Sequence, residues 1–343
     1  MSDMAISHVE LIQRLGAKIH ATLDPMLKDA PHLALLDFPE HWNVGDSAIW
    51  LGEIAYLRKV CGRDPDYTCS ATTYDPLALR ERAPDGPILI SGGGNFGDLY
   101  LLHQNLRERV CADFPDRPVI QLPQSIHFQT QERFDQARTI FGAHPRFTLL
   151  TRDKTSHAIA GTFDCAAALI PDMALCLGAL DDVIRRPAHD LVALLRRDRE
   201  IKIDQALQTM LAPSVRALDW QQEDSATLLV LERYITAREG GTQARTALAQ
   251  HRLARGLEVL ASGKHVATDR LHGHILSLLL GVPHFVFDNS YNKNGAFFET
   301  WISGYANATF GDSIGAFVAW AEARGLGGLV AAAARDTVGT VVA

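Results

Sequence analysis

The run Ala267-Thr268-Asp269-Arg270-Leu271-His272-Gly273-His274 puts an arginine and a histidine where an apolar strand turns into a helix. Lys264-His265-Val266-Ala267 reads as the strand, and Ile275, Leu276, Leu278, Leu279 and Leu280 continue as a buried helix that ends at Gly281, before Pro283. Strand, polar exit and apolar helix in that order make one βα unit of a parallel sheet. Arg270 and His272 then fall in the first helical turn, where unpaired backbone N–H groups and the helix dipole favour an anion. An arginine paired with Asp269 at a helix start would be ordinary, so this run alone does not assign a ligand.

The same punctuation recurs along the chain. Leu33 to Leu36 ends at Asp37, and Pro87 to Ile90 runs into Ser91-Gly92-Gly93-Gly94-Asn95-Phe96-Gly97-Asp98. Val119 to Leu122 exits into Pro123-Gln124-Ser125, and Phe147 to Leu150 into Thr151-Arg152-Asp153. Leu191 to Leu195 exits into Arg196-Arg197-Asp198, and His284 to Phe287 into Asp288-Asn289. In open parallel sheets ligands bind beyond the carboxyl ends of the strands, so charged and glycine-rich exits are what a ligand crevice predicts. The first set of strands is expected near 33–37, 87–91, 119–123, 147–151 and 168–170, and the second near 191–195, 216–219, 264–268, 284–287 and 307–310. Between them, Leu177 to Pro187 is polar at its centre and closes on a proline, as a linker does. The expected fold is therefore α/β, with two Rossmann-like domains, 1–180 and 181–343 with C-terminal helices, facing a central cleft in a GT-B-like arrangement.

Composition narrows the function. With 343 residues and a net charge of −7 of interspersed sign, the chain is not a general nucleic-acid binder, and any anion site must be built locally from a few arginines. Cys61, Cys69, Cys111, Cys165 and Cys176 show no C-x-x-C spacing and read as reduced thiols of a cytoplasmic protein. A polar start followed by an amphipathic helix carrying Ile12, Leu15, Ile19 and Leu23 does not read as a signal peptide. No stretch reaches the roughly 18 uncharged apolar residues of a membrane span. The Leu326 to Ala343 tail, interrupted by Arg335 and Asp336, is expected to be a terminal packing helix.

Several motifs lie at the strand exits. His41-Trp42-Asn43-Val44-Gly45-Asp46-Ser47 opens a helix, with Asp46 or Ser47 expected as its N-cap; capping would explain Asp46 but not His41 or Asn43. Gly92, Gly94 and Gly97 match G-x-G-x-x-G, yet the motif follows the second strand, and no acidic residue for a ribose ends the next one. These glycines would still let backbone N–H groups approach an anion or a sugar. Arg152 opens another helix, with Thr151 as its expected cap, and Asp172 in Pro171-Asp172-Met173-Ala174 is either a base or a cap. His272 and His274, two apart on a helix, point roughly 200° from one another, so they are no metal pair, and no other metal cluster is expected. H-E-x-x-H, G-x-S-x-G and Walker A spacings are absent.

The order N-V-G-D-S-A-I (43–49), I-S-G-G-G-N-F-G-D-L (90–99), Q-L-P-Q-S-I (121–126), T-R-D-K-x-S (151–156), P-D-M-A (171–174) and T-D-R-L-H-G-H-I-L-S-L-L-L-G-V-P (268–283) resembles the polysaccharide pyruvyl transferase family. The likeness spans roughly 35–300 and is strongest at the glycine-rich run and at R-L-H-G. It implies an enzyme that takes the enolpyruvyl group of phosphoenolpyruvate and forms a pyruvate ketal on a sugar of a bacterial exopolysaccharide or cell-surface polysaccharide precursor. It puts Arg152, Arg270 and His272, with Leu271 between the last two, at the phosphoenolpyruvate, and Asp46, Asn95 and Asp98 on the first-domain side.

That chemistry suits the residues. Ketal formation needs a proton at C3 of the enol, stabilisation of an oxocarbenium-like carbon, loss of phosphate and attack by two hydroxyls. His272 is expected as general acid, Arg152 and Arg270 as anion clamps, Asp46 or Asp98 as base, and Arg197 and Lys293 as extra phosphate contacts. Gly93, Gly94, Asn95, Asp98 and His103 are expected to bind the acceptor. Phosphoenolpyruvate is then a co-substrate and no cofactor is needed; a lipid-linked acceptor would bring the enzyme to the inner face of the cytoplasmic membrane. A GT-B glycosyltransferase using a nucleotide sugar, and a non-catalytic sugar- or anion-binding protein, are the competing readings.

Overall fold

Short runs such as Ala34–Leu36, Ile88–Ile90 and His284–Val286, buried on both faces, become inner strands, as expected where helices cover both sides of a parallel sheet. The structure, a computed structural model, describes residues 6–198, 200, 202, 207, 210–220 and 241–330. The described chain falls into two compact units, one drawn from Gln13–Leu177 with Asp224–Leu253, the other from Met1–Ile12, Gly178–Glu223 and Ala254–Ala343. The N-terminal unit takes in the first half of the helix Gly241–Ala261, where Arg252 Nη1 donates to the Pro39 carbonyl at 2.7 Å and the Thr242 and Thr68 hydroxyls lie 3.1 Å apart.

In the N-terminal unit the strands are β1 (Ala34–Leu36), β2 (Tyr67–Cys69), β3 (Ile88–Ile90), β4 (Gly93–Gly97), β5 (Val119–His127), β6 (Phe147–Thr151) and β7 (Ala166–Leu169). Their order is β2-β1-β3-β5-β6-β7, all parallel, with β4 paired to the far end of β5. In the C-terminal unit β8 (His189–Leu194), β9 (Arg216–Leu218), β10 (Gly263–Thr268), β11 (His284–Val286) and β12 (Ala308–Phe310) run in the order β12-β11-β10-β8-β9, again all parallel. Each sheet begins at an inner strand, adds its second strand on one side and then crosses to the other. The reversals between β1 and β3 and between β8 and β10 are where doubly wound sheets open a ligand crevice.

Two strands depart from expectation. Tyr67–Cys69 is too short, between polar flanks, to announce itself. The glycine-rich run is not a loop: Gly93–Gly97 is a strand, and β5 continues past Pro123 to His127 to pair with it, with a register shift between Gly93 and Phe96. Glycine permits this pairing: Gly97 has φ +131°, and a Cβ there would stand 1.7 Å from the His127 carbonyl oxygen. Gly97→Ala should cost about 3 kcal/mol or more, from backbone strain plus the clash, read as a lowered urea midpoint.

Phe96, Phe141, Phe147 and Phe163 fill the first core, and Phe285, Phe287, Phe317 and Trp320 the second. In the N-terminal helix, His8–Leu27, the expected apolar face is buried at Ile12, Leu15, Ile19 and Leu23. Of the expected terminal helix at 326–343, residues 331–343 lie outside the described residues, and Gly327–Leu329 forms a 3-10 turn. Among the described residues, no helix is long and apolar enough to cross a membrane.

Candidate functional site

At the β1/β3 reversal the first residue past β1 is Asp37, buried, with φ +71°. Its Oδ1 lies 2.7 Å from His103 Nδ1, and its Oδ2 lies 3.8 Å from Arg107 Nη2. His103 and Arg107 are four apart on the helix Leu101–Asp113 and so share a face. The fully buried Arg107 also donates to Gln121 Oε1 at 2.6 Å, to the Asn95 carbonyl at 3.1 Å and to Asn95 Oδ1. Burial lowers its pKa to about 10, against the pull of Asp37 and Glu108, so it stays a cation at neutral pH. Gln124 Nε2 also donates to Asn95 Oδ1, at 2.9 Å. With that oxygen engaged twice, the polar group of the Asn95 side chain that could still serve a ligand is its amide nitrogen, a donor.

Asn43, rather than Asp46 or Ser47, caps the helix Val44–Cys61: its Oδ1 accepts from Gly45 N at 3.0 Å. The helix thus starts earlier than expected, and Asp46, no longer needed as a cap, is held by Asn43 Nδ2 at 2.8 Å and faced by His41 Nε2 at 3.5 Å. Asp46 stands over the glycine strand, 3.7 Å from where a Gly93 Cβ would be. Asp98 is used differently: its carboxylate accepts from Gln129 N at 2.6 Å, Thr130 N at 2.9 Å and Thr130 Oγ1 at 3.0 Å. Burial pushes its pKa up, but those bonds outweigh it and hold the group below the usual carboxylate range. Asp98 is therefore a loop latch and a weak base.

The next helix residue to face this exit is Glu53. Fully buried, it accepts from Gly92 N at 2.8 Å and Ser91 Oγ at 2.9 Å, fixing the chain as it leaves β3. Burial raises its pKa from 4.5 to about 8; the charges of Asp172 and Asp37 add to this and the two hydrogen bonds oppose it. Between those values the native state holds a proton that the unfolded chain has released, so Glu53 makes stability fall as pH rises from about 4.5 to about 8. In Glu53→Gln the amide oxygen can accept from Gly92 N while the amide nitrogen donates to Ser91 Oγ, reversing that bond. The substitution should flatten that decline, raising the melting temperature at pH 8 by several degrees while leaving it little changed at pH 4.

Past β6, the buried Arg152 donates from Nε to Ser125 Oγ at 2.9 Å and from Nη1 to Asp172 Oδ2 at 2.7 Å. Asp172 is also a cap, its Oδ1 accepting from Ala174 N at 2.9 Å. The helix Lys154–Ala160 is capped by Asp153, not Thr151, through Ser156 N at 2.7 Å, because Thr151 is still inside β6.

In the C-terminal unit the exits of β8, β9 and β10 converge on Arg270. Its Nε and Nη2 donate to the two oxygens of Asp219, at 2.9 and 2.7 Å, and Nη2 also reaches Asp198 Oδ2 at 3.2 Å. Asp219 further accepts from Arg197 N at 3.0 Å. Asp269, next in sequence to Arg270, instead accepts from Arg196 N at 2.8 Å. Burial raises its pKa to about 6. Arg196 grips Asp198 and Glu200, and Glu200 meets Lys293 Nζ at 3.6 Å. Arg270 is thus clamped on one edge, while its Nη1 makes no hydrogen bond to the described residues. A guanidinium so held can still contact an anion through that nitrogen.

Leu271 and the buried His272 form the first turn of the helix Leu271–Leu279, for which Arg270 is the N-cap residue. Gly273 lets this helix lie close on β10: a Cβ there would come 2.5 Å from Thr268 Oγ1. His274 is a core residue, its Nδ1 2.7 Å from His284 Nε2, with its pKa driven well below the usual value by burial and by His284. Among the described residues no group of three or more His, Cys, Asp or Glu could hold a metal ion.

Asp37, Glu53, Arg107, Asp198 and Asp219 were not marked as site residues by the sequence, although Asp37 and Asp198 stand at exits it identified. Asp219 ends a strand expected at 216–219, and Glu53 is a lone carboxylate amid Ile49-Trp50-Leu51-Gly52 and Ile54, both readable signals.

Residues 43–291 match the profile of a family described as polysaccharide pyruvyl transferase. Pyruvyl transferase 1 of Schizosaccharomyces pombe is 33% identical over 284 residues, 79% of this chain and 70% of the relative. The candidate pyruvyl transferase EpsO of Bacillus subtilis is 30% identical over 307 residues, 84% of this chain and 91% of its own. In fold, a functionally uncharacterised protein from Klebsiella pneumoniae superposes with a TM-score of 0.59 at 18% identity, covering 87% of this chain and 99% of that one.

Proposed function

The chain belongs to the polysaccharide pyruvyl transferase family, and from that premise we propose that it moves the enolpyruvyl group of phosphoenolpyruvate onto two hydroxyls of one sugar, releasing phosphate. The observation that carries the reading is the β10 exit. Arg270 is held by two carboxylates while its Nη1 makes no hydrogen bond to the described residues, and His272 follows within the first turn of a helix whose dipole favours an anion.

Arg270, with Arg197, Lys293 and the backbone at Leu271, contacts the donor's carboxylate and phosphate. His272 delivers a proton to C3, turning the methylene into a methyl and leaving C2 electron-poor. The C2–O bond to phosphate breaks, and two new C–O bonds form as two hydroxyl protons leave. One of those protons balances the proton given to C3 and the other departs with phosphate. In the N-terminal unit Asp46 deprotonates a hydroxyl, a role supported by its carboxylate lying beside the strand that carries Gly93, Gly94 and Asn95. Phosphate release from phosphoenolpyruvate across a panel of sugars, with mass spectrometry of the product, tests the reading. Absence of release together with binding of a nucleotide sugar would point to glycosyl transfer instead.

A further inference from the structure

Two hydroxyl protons must leave, and Asp46 accounts for one acceptor only. Asp98 is not the other, since its oxygens already take three hydrogen bonds. We propose that His103, oriented by Asp37, is the second base, with its Nε2 taking the proton of an attacking sugar hydroxyl. The inference rests on the pyruvyl-transfer reading above.

Four observations converge on this pair. Asp37 follows β1 at the β1/β3 reversal, where ligands of doubly wound sheets bind. It is a non-glycine residue at φ +71°, a conformation that concentrates at functional sites. Its carboxylate is buried, with Oδ1 at 2.7 Å from His103 Nδ1, while Oδ2 accepts no hydrogen bond among the described residues and has Arg107 Nη2 at 3.8 Å. Beside a carboxylate oxygen, Nδ1 carries the ring proton, so Nε2 presents a lone pair, and the imidazolium formed on proton uptake is stabilised by Asp37. His103 keeps 16% of its side chain exposed, so the dyad pairs a buried carboxylate with a ring that a substrate can reach.

The dyad is balanced as chemistry: the O–H bond breaks, its proton moves to Nε2, and the oxygen lone pair forms the bond to C2. Asp37 is a positioning residue and does not itself take the proton. Arg107, which holds Asp37, Asn95 and Gln121 together, positions the dyad against the glycine strand.

The test uses the full chain, phosphoenolpyruvate and an acceptor identified from the sugar panel. His103→Gln and Asp37→Asn should each lower kcat by about 10²–10⁴-fold, with phosphoenolpyruvate affinity and acceptor KM within about two-fold of wild type. In Asp37→Asn the new side-chain amide would donate to Nδ1 and force the wrong tautomer, so an isosteric change should cost as much as losing the ring. Added imidazole should restore the His103→Ala rate by about ten-fold or more, a rescue that a structural role for the ring would not give. Melting curves identify any variant that fails to fold, in which case imidazole rescue decides. Near-wild-type kcat in either His103→Gln or Asp37→Asn, a loss confined to acceptor KM, or no imidazole rescue would overturn the dyad. If the wild type neither binds phosphoenolpyruvate nor releases phosphate, the pyruvyl-transfer reading itself fails.

Discussion

Replacing His272 with Ala or Gln should slow single-turnover phosphate release by about 10²–10⁴-fold while phosphoenolpyruvate binds nearly as before. The split follows from when the histidine acts. A proton reaches C3 only as the enol double bond is consumed, so the contact is made in the transition state and contributes little to the ground-state complex. His272 is set for this by its place in the first turn of the helix Leu271–Leu279, next to the arginine that would hold the donor. Glutamine fills the space and keeps a donor, yet cannot supply a proton, so it should be nearly as slow as alanine. Calorimetry with phosphoenolpyruvate and quenched-flow phosphate assays read the two quantities separately. A His272→Ala enzyme turning over near the wild-type rate would assign the acid to another residue.

Arg270→Ala is expected to fail in the opposite way, through affinity and stability. It deletes the donor contact, and it also leaves Asp219 buried with its main partner gone; removing one member of a buried pair costs about 3–5 kcal/mol. Arg270→Lys restores the charge, but an ammonium cannot span both oxygens of Asp219 and still offer a nitrogen to a ligand, so donor affinity should remain poor. Chemical denaturation and donor calorimetry of the two variants check this. If lysine restored wild-type donor affinity, the forked geometry would be irrelevant and only the charge would matter.

The strand exits were legible because each marks a change from apolar run to polar or glycine residues, and this local property survives folding. What was not legible is long-range. Nothing in Asp269-Arg270 says that the arginine passes over its neighbour to grip Asp219, 51 positions away, because that choice is made by strand order. The glycine run misled for a related reason. Its spacing matches a phosphate loop, but the residues that turn it into a strand are Gln124, Ile126 and His127 on the partner strand, and pairing depends on both. At Val44 the error was small and local: Asn43, Asp46 and Ser47 can all cap a helix, and the sequence does not show which backbone N–H comes first.

The carboxylates around Arg270 look at first like competitors for any anion. They are also its mould. An arginine free in a crevice has many rotamers and loses most of them when a ligand arrives, an entropic loss of about 0.5–1.5 kcal/mol for a side chain of this kind. Arg270, forked onto Asp219 and touching Asp198, was immobilised when the domain folded. Binding then meets a guanidinium with little freedom left to surrender, and part of the affinity lost to the resident acids returns as disorder that no longer has to be removed.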